Sequence, residues 1–167
     1  MLVENQDIPG LELIENFISN DEENKLINHI YKNNWDTTIK RRVQHYGINF
    51  EYKFRKIEKN MEPKEFPDWM NLILDKLKDI KVLKNFNPNQ CTINEYEPGV
   101  GIAPHIDTHS CFGKIIISLS LESNILMNFK NKISNKDKVS LLIPRLSLLI
   151  ITEESRYCFS HGITARK

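Results

Sequence analysis

Cysteine is scarce in this chain. Only Cys91, Cys111 and Cys158 occur in 167 residues, and no two of them form a C-x-x-C pair. That excludes a disulfide framework and a zinc ribbon, and leaves each as a buried or incidental thiol. Long apolar runs are missing too: the longest, "IIISLSL" and "LSLLII", fall far short of the roughly 20 residues that cross a bilayer. The first residues, MLVENQD, hold no basic stretch followed by an apolar one, so no secretory signal is visible. A soluble intracellular protein, cytoplasmic and/or nuclear and without a membrane partner, is expected. There is no repeat at a fixed period and no low-complexity tract. Charge of one sign is absent overall, with a net of +1, which excludes neither a nucleic-acid nor a small-molecule partner, because local patches matter more than the total.

What is present is globular. Apolar residues make up 40% of the chain and charged ones 27%, and the length suits one domain, 1–167, with a real core. One strongly basic segment, "KRRVQHYGINFEYKFRKIEK" at 40–59, sets Lys40, Arg41, Arg42, Lys53, Arg55, Lys56 and Lys59 against only Glu51 and Glu58. Ser19 and Glu22 in "SNDEENKLINHIYKN" form a capping-box pattern ahead of Leu26, Ile27, Ile30 and Tyr31 at helical spacing. "FPDWMNLILDKLKDI" places Trp69, Leu72, Ile73, Leu77 and Ile80 on one stripe, with Pro67 near its start. Both stripes read as core packing.

After Pro88 the pattern changes to short runs rich in Ile, Leu, Val and Thr, broken by "EPGVG", "SCFG", "NKISNKDK" and "IPR". Strands are expected at 90–96, 103–108, 114–121, 124–130, 138–143, 146–152 and 156–160. Many short strands without helical patterns between them suggest an antiparallel sandwich or jelly roll. The fold class is mainly β with flanking α, the helices of 1–88 packing outside a core of 89–167.

The stretch "HIDTH" at 105–109 carries the densest chemistry. On a strand, residues i and i+2 share a face, so His105 and Asp107 offer an imidazole and a carboxylate to one point. His109 would lie roughly 13 Å from His105 along a continued strand, at the limit of bridging to one ion. A third ligand would then come from elsewhere. His29 and His45 read as solvated or packing histidines, whereas His161, in "SRYCFSHGI", reaches the pair if its segment folds back against 103–108. Two histidines and a carboxylate on one side of a metal form the facial triad of non-haem Fe(II) oxygenases. An H-x-D with a downstream histidine also occurs by chance in many proteins.

The surrounding motifs narrow the choice. "CTINEYEPGVGIAPHIDTHS" and "LLIPRLSLLIITEESRYCFSHGITARK" resemble the AlkB family of Fe(II)/2-oxoglutarate dioxygenases, most of all the eukaryotic homologue acting on tRNA wobble uridine. The match covers N-x-Y-x-P-G, the H-x-D with its following Thr, S-L-L-x-x-T-x-x-S-R-Y and the closing H-G-I-T. The resemblance implies a double-stranded β-helix, with Fe(II), 2-oxoglutarate and O2 as cofactors and co-substrates. It implies His105, Asp107 and His161 as iron ligands, and Asn94 and Tyr96 as hydrogen-bond partners of 2-oxoglutarate. "RRVQHYGINFEYKF" resembles the family's nucleotide-recognition hairpin. It combines Arg41 and Arg42 for phosphates with His45, Tyr46, Phe50, Tyr52 and Phe54 for stacking. Arg156, near His161 in sequence, is expected to pair with an acid such as Asp107.

The chain also departs from the family. It stops six residues past His161, so the strands carrying the family's R-x-N-x-T-F-R type motif are expected to be lacking, and Arg166 and Lys167 are poor substitutes for that clamp. Histidines in the place of His109 can serve a zinc with distant cysteines; none is here, and His109 is expected to be idle. The expected reaction is hydroxylation of a modified nucleobase in a nucleic acid, most of all tRNA wobble uridine, with a separate methyltransferase or RNA-binding partner. The alternatives are oxidative demethylation of N-alkylated DNA or RNA, a non-catalytic nucleic-acid-binding module, and an oxygenase acting on protein or lipid.

Overall fold

A computed structural model of the chain describes residues 2–4, 8–48, 50–51, 56–57, 65–134 and 138–165. Tyr52, Phe54, Arg166 and Lys167, named above, lie outside the described residues. The chain divides into two compact units, one of residues 1–23 and 97–167, the other of residues 24–96. Among the described residues no helix is long and apolar enough to cross a membrane.

The first unit holds two four-stranded antiparallel sheets, the pair that a double-stranded β-helix requires. One runs in the order β1 (Leu2–Glu4), β2 (Leu11–Ile14), β11 (Leu148–Ile151), β8 (Ile116–Leu119). Strand β11 is the run "LLII", and all four residues are buried. A central strand covered on both faces reads as a continuous apolar run rather than an alternation. The other sheet runs β10 (Lys138–Ile143), β9 (Ile125–Asn131), β12 (Phe159–Ile163), β7 (Ile102–His105). Strand β10 alternates exposed and covered residues, as a half-buried strand must.

Two expected strands change. The stretch 103–108 ends as strand β7 at His105, because Cys111 N and Phe112 N both donate to Thr108 O at 3.0 Å and turn the chain. The stretch 156–160 divides into a short helix, α3 (Glu153–Tyr157), and the start of β12. Ser155 causes that break: its Oγ accepts from Thr152 N at 3.0 Å, and its own N–H donates to Pro9 O at 3.0 Å. Strands β1 and β2 were not expected, since "LVE" and "LELI" are too short to show a period.

In the second unit, β3 (Arg42–Gly47) pairs antiparallel with β6 (Gln90–Glu95), Arg42 opposite Glu95 and Val43 opposite Asn94. The two-residue strands β4 (Phe50–Glu51) and β5 (Lys56–Ile57) pair with each other. The expected hairpin thus shares its strands between two partners, because β3 has six residues of ladder to gain from β6. The unit also holds helix α2 (Asn71–Lys78), preceded by a single 3-10 turn that opens after Pro67.

Helix α1 (Asn20–Ile30) begins as its sequence predicts: Ser19 N donates to Glu22 Oε2 at 2.8 Å, and Glu22 N to Ser19 Oγ at 3.2 Å. Its Glu23 is 2% exposed. The carboxylate accepts Arg145 Nε at 2.7 Å and Glu122 N at 2.6 Å, and Arg145 Nη2 pairs with it as well. Two loops of the jelly roll, at 122 and 145, are thereby tied to the helix start. Burial alone raises the Glu23 carboxyl, but the hydrogen bonds from Arg145 and Glu122 outweigh it and hold it below the usual range. A depressed carboxyl contributes stability above its unfolded pKa of about 4.3, and loses it as pH falls through the folded value. Replacing Glu23 with Gln should therefore cost about 2 kcal/mol at neutral pH, the lower part of the range for charged hydrogen bonds because Arg145 is partly exposed. The deficit should shrink below about pH 4, which urea denaturation at a series of pH values measures directly.

Candidate metal centre

Strand register brings the two histidines together. In the antiparallel pair β12 and β7, His161 lies directly opposite His105, with a register shift before the next pair, Ile163 opposite Ile102. Their ring centroids are 4.6 Å apart. Close approach of these strands depends on Gly162, where a Cβ would sit 2.9 Å from Ile102 O and from Pro104 Cα. No side chain fits there without moving backbone, which gives the glycine of H-G-I-T its physical reason.

Asp107 reaches the same point by another route. It lies beyond the end of β7, so the i, i+2 rule for strands does not place it; the loop after His105 does. Its Oδ1 is 3.8 Å from His105 Nε2 and its Oδ2 is 3.6 Å from His161 Nε2. Each of the three residues offers a ligand atom, all within 4.8 Å of one another, and this is the one such cluster among the described residues. Arg156 meets the loop differently from the pairing expected of it. Its guanidinium donates to the main-chain oxygens of Asp107 and Gly113 at 3.0 Å and of Phe112 at 3.2 Å, and not to the Asp107 carboxylate.

The donor set suits a cation. His105 Nδ1 lies 2.9 Å from Ala103 O, which accepts the ring N–H and leaves the Nε2 lone pair directed outward. His161 is walled by Phe129, its cross-strand partner on β9, at 6.2 Å between ring centroids. Its Nδ1 is buried without a hydrogen-bond partner among the described residues. Burial lowers the His161 pKa to about 4, against the opposing pull of Asp107 and with help from His105 and Arg156. The ring is therefore neutral near pH 7 with a lone pair to give. Two imidazoles and one carboxylate match Fe(II), with coordination positions left over.

His109 lies outside the ligand cluster, and its ring meets Tyr157 edge-on at 5.1 Å. In the second unit, Asn94 Oδ1 accepts Arg41 Nε at 2.7 Å, and Tyr96 follows the end of β6. Arg42 pairs with Glu95 through Nε and through Nη2 at 2.8 Å, and its guanidinium lies 4.6 Å over the Trp35 ring and 5.7 Å over the Tyr31 ring. His45 Nδ1 meets Thr92 Oγ1 at 3.1 Å, and Tyr46 packs edge-on against Trp69 at 5.5 Å. Glu95 and Trp35 were not singled out from sequence, and Tyr31, read there as core packing, is instead 45% exposed. The one signal for Glu95 is its place inside N-x-Y, between the two residues that the resemblance selects.

The His161 ring sets a pH dependence for the metal-free protein. Between about pH 4 and 6.5 the unfolded chain binds a proton that the folded ring refuses, so stability is full above 6.5 and falls as pH drops toward 4. The fall should be on the order of 3 kcal/mol. Thermal melts in the presence of a chelator should show it, and His161→Gln should flatten that part of the curve.

Comparison with known proteins agrees with this centre. A profile described as the 2OG-Fe(II) oxygenase superfamily matches residues 10–167. The mouse protein named tRNA (carboxymethyluridine(34)-5-O)-methyltransferase ALKBH8 is 44% identical over 95% of this chain, which spans 25% of that protein. The Arabidopsis thaliana "Alkylated DNA repair protein ALKBH8 homolog" is 36% identical over 96% of this chain, and the match covers 52% of its length. The chain thus spans about a quarter to a half of these relatives. In fold it matches the solved structure of OsALKBH1, with a TM-score of 0.78 and 17% identity over 100% of this chain and 88% of that one. Profile, relatives and fold together place the chain in the 2OG-Fe(II) oxygenase superfamily, among its AlkB-like dioxygenases, whose members use Fe(II), 2-oxoglutarate and O2.

Proposed function

We propose that this chain hydroxylates a modified nucleobase, the substrate being tRNA whose wobble uridine carries a side chain on the base. The observation that carries the reading is the 44% identity to mouse ALKBH8 across nearly the whole chain, combined with a three-residue metal centre of the right composition. His105, Asp107 and His161 hold Fe(II). Asn94 and Tyr96 donate to the carboxylates of 2-oxoglutarate, a role supported by the N-x-Y-x-P-G motif. When bound, the iron supplies activation of O2: 2-oxoglutarate is converted to succinate and CO2, and the second oxygen atom enters a C–H bond of the substrate.

The protein's own work is positional. His105 presents Nε2 because Ala103 O occupies Nδ1, and Asp107 supplies the one negative charge of the ligand set. Buried, neutral His161 closes the ligand set on the side walled by Phe129. Because a base must reach the iron, the target is single-stranded or flipped out. Arg41 and Arg42, with His45 and Tyr46, form the nucleic-acid contact, and a separate methyltransferase or RNA-binding partner acts beside the chain. A second reading, oxidative demethylation, is one form of the alkylated-DNA repair in the name of the Arabidopsis relative. If the oxidised carbon is attached to nitrogen, the hydroxylated product releases formaldehyde.

Mass spectrometry of oligonucleotides separates the two. An anticodon stem-loop with a 5-substituted wobble uridine, incubated with the chain, Fe(II), 2-oxoglutarate and O2, should gain one oxygen atom, and His105→Ala should abolish both that gain and succinate formation. Release of formaldehyde from an N-methylated oligonucleotide, with the uridine untouched, would replace the first reading by the second. Succinate formation that persists in His105→Ala would remove the triad from the reaction. For binding, the double change Arg41→Ala and Arg42→Ala should weaken RNA affinity and make the log–log salt slope shallower by about one to two. An unaltered slope in fluorescence anisotropy titrations would rule out phosphate contact by both.

A further inference from the structure

Arg156 is the largest fully buried side chain among the described residues, 2% exposed, and among them no carboxylate hydrogen-bonds to it. Its donors go to three main-chain oxygens of one loop: Nε to Gly113 O at 3.0 Å, Nη1 to Asp107 O at 3.0 Å and Nη2 to Phe112 O at 3.2 Å. A guanidinium is a rigid planar fork, so three simultaneous acceptors fix its position and theirs. The acceptors bracket the segment from Asp107 to Gly113, which has no strand partner. The main-chain hydrogen bonds described within it are the two to Thr108 O. Gly113 itself has no heavy atom within 4 Å of where a Cβ would be, so packing does not hold that end of the loop either.

Two of the three metal-ligating side chains gain their places from strand pairing. Asp107 does not, and its main-chain oxygen is one of the three that Arg156 holds. Arg156 also sits on α3, the helix that leads directly into β12 and His161. A single side chain therefore couples the loop bearing one ligand to the element bearing another.

We infer that Arg156 is a positioning residue for Asp107, fixing the carboxylate at the metal centre through the loop's main-chain oxygens. The inference rests on the reading that His105, Asp107 and His161 hold a divalent metal. Removing the fork leaves the loop free to carry Asp107 out of line, and supports of this kind are worth about 10- to 100-fold in metal affinity. The effect reaches the metal only through Asp107, so it has a spectroscopic signature. Loss of Arg156 should look, at the metal, like partial loss of Asp107.

Anaerobic titration of the full chain with Co(II), whose visible bands report its ligand set, tests this. The variants are Arg156→Met, Arg156→Lys, Asp107→Ala and His161→Ala, each checked by circular dichroism. Arg156→Met should bind Co(II) at least about 10-fold more weakly than the unaltered chain, with bands displaced toward those of Asp107→Ala. Arg156→Lys keeps the alkyl stem and the charge but not the fork; it should be displaced in the same direction, and it carries the test if Arg156→Met does not fold. Unchanged affinity and bands in a folded Arg156 variant, with or without a lowered melting temperature, would overturn the inference while the triad stands. Unchanged affinity in both Asp107→Ala and His161→Ala would overturn the triad reading, and this inference with it.

Discussion

Directly opposed residues on antiparallel strands have their Cβ atoms about 5 Å apart, so the register of β12 against β7 decides whether this chain has a metal centre. With His161 opposite His105, the two rings share one face of the sheet at the spacing a single cation needs. A slip of one residue would turn every side chain of β12 to the other face. The register is guarded from both sides. Gly162 permits the backbones to approach, and β9 pairs with the opposite edge of β12 from Phe159 to Ile163. Phe129 on that strand also desolvates His161, so the pairing that places the ligand keeps it neutral as well.

Where the ladder stops, arginine takes over. Arg145 ties its own loop to Glu23, Arg42 at the start of β3 pairs with Glu95 at the end of β6, and Arg156 gathers three main-chain oxygens of the loop bearing Asp107. In the last case a planar fork with several donors fixes a segment that has no strand ladder of its own. Lysine, a single point of charge on a flexible stem, could not satisfy three acceptors lying in different directions. The 23 basic residues of the chain thus divide by chemistry: Arg156 secures irregular backbone while Arg42 and Arg145 pair with carboxylates, and a basic count alone says nothing about which charges face solvent.

Much of this was legible beforehand, for identifiable reasons. The capping box at Ser19 and Glu22, strand β10 with its alternation, and the all-apolar β11 are local patterns, and local patterns survive folding. His105, Asp107 and His161 could be assembled because their motifs surround them. What could not be read was anything set by long-range competition. Ser155 turns 153–157 into a helix through a bond to Pro9, 146 positions away in sequence, and β3 takes β6 as partner across more than 40 residues. The strand rule named the correct pair at 105 and 107 for an incomplete reason, since Asp107 is delivered by a loop whose anchor, Arg156, lies 49 residues later.

The same separation limits what the metal centre reveals about substrate. Three ligands and a co-substrate determine that a C–H bond becomes C–OH; they do not determine which carbon is presented. Whether the hydroxylated product persists or falls apart depends on the neighbouring atom of the substrate, carbon or nitrogen, not on His105, Asp107 or His161. Function at this level lives in a site carried by the fold rather than in the fold itself. Specificity must therefore come from residues outside the triad, and the function proposed above gives it to β3 and its flank. There Arg41, Arg42, His45 and Tyr46 join cations to rings, and each is already held by a neighbour: Asn94, Glu95, Thr92 and Trp69. A cation or ring held in place before its ligand arrives loses less entropy on binding than one that must be ordered. By that argument, the contacts that occupy these side chains also order them in advance of any ligand.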